Sequence, residues 1–83
     1  MNTRILVRLV VPTLETSFEI YVTTSRKIKD LLPLLIKGIN DLGYDIETDD
    51  SYGIYNKTNG KKYDLNVEIE DTDIIDGTEL ILI

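Results

Sequence analysis

Two hydrophobic periods divide this chain. Within Arg4–Val11, Ile5, Val7, Leu9 and Val11 fall on one side of an extended strand, and Leu6, Arg8 and Val10 on the other. Arg4 and Arg8 mark the second side as the wetter one. Residues 17–23 repeat the alternation, with Phe18, Ile20 and Val22 inward and Glu19, Tyr21 and Thr23 outward. Pro12-Thr13-Leu14-Glu15-Thr16 turns the chain between them, which predicts an antiparallel hairpin. The period then changes. Ile28, Leu31, Leu32, Leu35, Ile39 and Leu42 recur at helical spacing and predict one amphipathic helix over residues 28–42.

The helix is clearly marked at its end and irregular near its start. Gly43 follows Leu42 and suits the left-handed conformation that closes helices. Thr24 and Ser25 offer side-chain oxygens for an N-terminal cap, without a choice between them. Pro33 deletes one intrahelical hydrogen bond and crowds the preceding turn, which predicts a kinked or 3₁₀-like opening before it.

Residues 44–51 form an acidic connection. Residues 52–57 and 61–65 read as two short strands around Thr58-Asn59-Gly60, because Asn-Gly is a strong hairpin signal. Residues 67–76 are acidic, with Ile69 and Ile74 as apolar anchors. Asp76-Gly77 turns into a final strand over residues 79–83. The predicted order is ββαβββ: an α+β fold in which a mixed sheet of four to five strands carries one helix across one face. The last strand is expected beside the first and parallel to it, since both are apolar on two faces, as central strands are.

Eighty-three residues supply one core and are expected to form a single domain, 1–83. Cysteine and histidine are absent, which removes disulfides, thiolate metal sites and the commonest general base. A net charge of −6 disfavours nucleic acid and anionic membrane surfaces as partners. No signal peptide or spanning segment is legible, so the expected setting is cytoplasmic, without membrane insertion.

No chemistry-bearing constellation survives inspection. Counted from Asp45, the sixth and twelfth positions of a calcium loop hold Asp50 and Asn56 instead of Gly and Glu. Asp45, Glu47, Asp49 and Asp50 therefore read as a solvated loop, as do Glu68, Glu70, Asp71 and Asp73. Gly53 and Gly60-Lys61 lack the spacing of a phosphate loop, and no Ser or Thr follows the lysine. The five tyrosines read mainly as amphipathic strand residues. Neither a catalytic residue, a cofactor nor a metal ligand is assigned, and an enzyme is not expected.

The element order and spacing resemble the ubiquitin-like β-grasp fold over essentially the whole chain. Ile28-x-x-Leu31-x-x-x-Leu35 falls where ubiquitin-like helices place core residues, and the run from Asp73 to Leu82 looks like the last loop and strand of that fold. Among such proteins the chain is similar to the small YukD/EsaB type associated with bacterial type VII secretion. The resembling features are the short chain, the helix opening Lys27-Ile28-Lys29-Asp30-Leu31-Leu32 and the turn Ile74-Ile75-Asp76-Gly77. The resemblance implies a cytoplasmic accessory protein whose partner is a protein, such as a type VII secretion membrane component. No glycine follows Gly77 and Ile83 falls within the predicted strand, so conjugation through a Gly-Gly tail is not expected.

Alternation also defines an outer sheet face. If Leu80 and Leu82 point to the helix, Ile81 and Ile83 point away, with Leu6, Arg8, Val10 and Tyr21. Either Ile54 or Tyr55 joins them, depending on the register of the third strand. The corresponding surface is the usual docking face of ubiquitin-like proteins. The candidate protein-binding face is thus Leu6, Arg8, Val10, Tyr21, Tyr55, Ile81 and Ile83, expected as one apolar patch. The plain alternative is scattered exposed aliphatics of no consequence. A further alternative is a homodimer closed by the same patch. Leu34 lies off the helix's apolar face as a possible second contact.

Overall fold

The computed structural model describes residues 3–47 and 51–83. Asp49 and Asp50 of the acidic connection lie outside the described residues. Strands β1 (Arg4–Val11), β2 (Thr16–Thr23), β3 (Ile54–Asn56) and β4 (Glu79–Leu82) accompany one helix, α1 (Ile28–Asp41). The four strands form one sheet in the order β2-β1-β4-β3. β1 pairs antiparallel with β2 and parallel with β4, as expected of two strands apolar on both faces. β3 closes the other edge antiparallel to β4.

The inner face of the sheet and the buried side of α1 share one core. Val7, Leu9, Val11, Val22, Ile54, Leu80 and Leu82 pack with Ile28, Leu31, Leu35, Ile36 and Ile39. Ile69 and Ile74 anchor the acidic segment in it, as their isolation among polar residues predicted. Tyr63 and Ile46 complete it and were not anticipated.

The helix differs from expectation at three points. Its side chains do not cap it. Ile28 N–H donates to the Val67 carbonyl (3.1 Å) and Lys29 N–H to the Leu65 carbonyl (2.9 Å), so backbone from a distant segment satisfies the first orphan donors that Thr24 or Ser25 was expected to meet. The chain is α-helical from Ile28 onward, with no 3₁₀ opening before Pro33. Pro33 lies on the exposed face, so its ring projects away from the core. Finally, Ile36 is buried and widens the apolar face, while Leu42, the C-cap residue just past the last helical turn, is 69% exposed. Gly43 ends the helix with φ 98°, as predicted.

The fifth strand is absent. Residues 61–65 make one isolated bridge, Tyr55 to Lys62, and then depart. Two forces divert them. The turn is held by Asn56, whose Oδ1 accepts from the Thr58 (2.8 Å) and Asn59 (3.3 Å) amides, with positive φ at Gly60 but not at Asn59. Beyond it, the Leu65 and Val67 carbonyls are committed to α1, which removes them from any ladder.

Candidate outer-face binding surface

Because β1, β2 and β4 are in fixed register, the outward side chains form level rows across the sheet. Tyr55 is opposite Ile81, and Ile54, fully buried, is opposite Leu82, which settles the register of β3 with Tyr55 outward. One row runs Ser17–Val10–Ile81–Tyr55 across all four strands. Ile83 stands at the next level, just past the end of β4, its N–H and carbonyl bonded to Gly53 (3.2 and 2.6 Å). Tyr55 and Lys62 cover Gly53: a Cβ there would meet Lys62 Cε at 3.0 Å and Tyr55 Cε1 at 3.1 Å. The ammonium of Lys62 lies 5.9 Å from the centre of the Tyr55 ring, a cation–π contact.

The next row is charged throughout. Glu19 is opposite Arg8, Arg8 opposite Glu79, and Lys57 meets Glu79 from the far edge. Glu79 Oε2 lies 3.9 Å from Arg8 Nη1 and 3.3 Å from Lys57 Nζ. The signs read minus, plus, minus, plus from β2 to β3. On its other side Leu6 lies opposite Tyr21, which is 64% exposed and carries Arg4 over its ring at 5.1 Å. Leu6 is fixed by Asp76, whose Oδ1 accepts from the Leu6 amide (2.8 Å), while Gly77 N–H donates to the Leu6 carbonyl (2.7 Å). A shallow depression of about 280 Å³ opens here among Leu6, Arg8, Glu19, Gly77 and Glu79.

All seven residues singled out from the sequence therefore lie on the outer face, but not as one apolar patch. The charged row divides Leu6 and Tyr21 from Val10, Ile81, Tyr55 and Ile83. Alternation within each strand assigns a face and says nothing of the level at which charges from four strands meet. For that reason Glu19, though placed outward, was not counted with the face, and Lys57 and Glu79 were missed. Leu34, 47% exposed, lies on the helix, away from this surface.

Elsewhere the polar groups serve the fold. Around a second depression of about 300 Å³, Tyr63 donates its hydroxyl to Asp73 (2.6 Å) and accepts from Asn56 Nδ2 (3.0 Å). Burial first, then the Asp73 bond, pushes its pKa up to about 12. A phenol held protonated in this way ties loop to turn and is no general base at neutral pH. Glu68 is raised above the ordinary carboxylate value, chiefly by its hydrogen bond with Glu70. Among the described residues no three His, Cys, Asp or Glu side chains gather as a metal site requires. No helix among them is long and apolar enough to cross a membrane.

No family model matches the chain, and no curated protein sequence matches it. Solved structures do. The EccD5 ubiquitin-like domain from Mycobacterium xenopi is 15% identical, with a TM-score of 0.71, covering 96% of this chain and 92% of that one. A chain of the MycP5-free ESX-5 inner membrane complex is 13% identical with a TM-score of 0.71, the match covering 95% of this chain and 20% of that one. The ubiquitin-like domain of the Arabidopsis thaliana protein At2g32350 is 14% identical with a TM-score of 0.69, covering 96% and 76%. With one helix laid across a mixed four-stranded sheet, this chain has the ubiquitin-like β-grasp fold.

Proposed function

We propose that the protein is a non-catalytic ubiquitin-like adaptor of the YukD/EsaB kind, which docks through its outer sheet face onto a cytoplasmic part of a type VII secretion membrane complex. The observation that carries this reading is the row Val10–Ile81–Tyr55, with Ile83 at the next level and a charged row bordering it. The inner face of the same sheet is consumed by the core, so the outer face is the part of the sheet left for a partner. Aliphatic and aromatic side chains on a rigid strand platform, rimmed by charges, have the composition of an interface centre with a polar border. The likeness to EccD5 and to a chain of the ESX-5 inner membrane complex supports the choice of partner class.

The test is calorimetric titration of the protein with a purified cytoplasmic segment of the secretion membrane component from the same organism. Saturable binding that Leu6→Asp plus Ile81→Asp weakens by at least about tenfold, roughly 1.4 kcal/mol, is the expected result. Both positions are only partly buried on the outer face, so the double variant is expected to keep its thermal transition. A folded double variant that binds as tightly as wild type removes the outer face from the account.

A further inference from the structure

The charged row has a property that a generic docking surface lacks. Its signs alternate across the four strands, so its order reversed is its own complement. A two-fold axis parallel to the strands, passing between β1 and β4, places a second copy face to face with the strand order reversed and every row at its own level. Arg8 of one copy then faces Glu79 of the other, and Glu19 faces Lys57, at each of the four positions. At the centre of the neighbouring row Val10 of one copy meets Ile81 of the other, with Ser17 opposite Tyr55 at the edges. Charge meets opposite charge and aliphatic meets aliphatic under a single operation, as an isologous interface requires.

We infer that the outer face is self-complementary and closes in a weak two-fold dimer of this chain. The centre of the contact is the square of Arg8 and Glu79 from both copies, with the Val10–Ile81 pairs beside it. Twisted sheets stacked in aligned fashion separate toward their corners, so the central pairs carry more of the contact than Glu19 and Lys57. Size sets the strength. Strands of eight, eight, three and four residues, about 4.8 Å apart, present roughly 400 Å² a side, near half the ~800 Å² per partner of a stable complex. The dimer therefore exchanges readily and leaves the face open to competition. It involves this chain alone and does not rest on the secretion reading.

Sedimentation velocity on Arg8→Glu, on Glu79→Arg and on their equimolar mixture tests it. Each single variant sets like charges against each other across the two-fold. In the mixture Glu at position 8 faces Arg at position 79, and Arg at 8 faces Glu at 79. Wild type is expected to shift toward twice its mass between about 20 µM and about 1 mM, the affinity range of an interface this small. Each variant alone is expected to associate at least about tenfold more weakly, the order of the penalty for juxtaposed like charges. The mixture is expected to recover dimer. Both variants carry like charges within one chain, so recovery on mixing reports a contact between copies. Circular dichroism establishes that each is folded, and the pair Glu19→Lys with Lys57→Glu serves if either is not. Wild type that stays monomeric across the whole range, or a mixture no more associated than its components, overturns the inference.

Discussion

Tyr63 shows how a single side chain acquires its role from segments on either side of it. Its ring is buried, and its hydroxyl links Asn56 in the β3 turn to Asp73 in the loop before β4. The phenol ionises near 10.0 when unfolded and at about 12 in the folded chain. A raised folded value means that the protonated form stabilises the fold, fully below the unfolded value and progressively less as pH rises from 10 toward 12. Urea unfolding at stepped alkaline pH is expected to show that loss in wild type. Tyr63→Phe is expected to begin less stable at neutral pH, having left Asn56 and Asp73 short of a partner, and to lose less across the same window. An equal alkaline loss in both proteins would contradict this assignment.

At the scale of the element, α1 separates what local pattern encodes from what it does not. The helix, its glycine stop and its burial against one sheet face follow from spacing alone. The limits of the buried stripe do not, because Ile36 fits its edge within the tolerance of a 3.6-residue period and Leu42, though on the stripe, falls past the last helical residue. The structure buries Ile36 and exposes Leu42. Ile36→Ala is therefore expected to cost about 2–4 kcal/mol, and Leu42→Ala to stay within about 0.5 kcal/mol, by chemical denaturation. Similar losses at both positions would mean that the helix face is misassigned. The missed cap and the missing fifth strand share one cause. The carbonyls of Leu65 and Val67 go to the first turn of α1, more than thirty residues earlier in the chain. That long-range bond replaces a Thr or Ser cap and diverts residues 61–65 from β3. The helix runs through Pro33 with no 3₁₀ segment before it, and the exposed ring takes no part in the core.

For the whole molecule, the division of labour follows from layering. One helix covers one face of one sheet, so the inner face is spent on the core and the outer face remains. The parallel pairing of β1 with β4 was legible because both strands are apolar on two faces, and alternation gave the outward residues of β1, β2 and β4, while the choice between Ile54 and Tyr55 waited on the register of β3. The division of that face by Glu19, Arg8, Glu79 and Lys57 was not, because it depends on register among four strands contributed by both halves of the chain. A surface with an aliphatic row beside alternating charges discriminates between partners by charge order as well as by apolar area.

On the proposed function, the partner meets the outer face of the sheet and not the helix. Amide chemical-shift mapping during titration with a cytoplasmic segment of the proposed secretion partner separates the two surfaces. The largest shifts are expected at Leu6, Arg8, Val10, Tyr55, Ile81 and Ile83, with α1 unmoved. Shifts centred on Leu34 and Lys37 of α1, with the outer face silent, would contradict it.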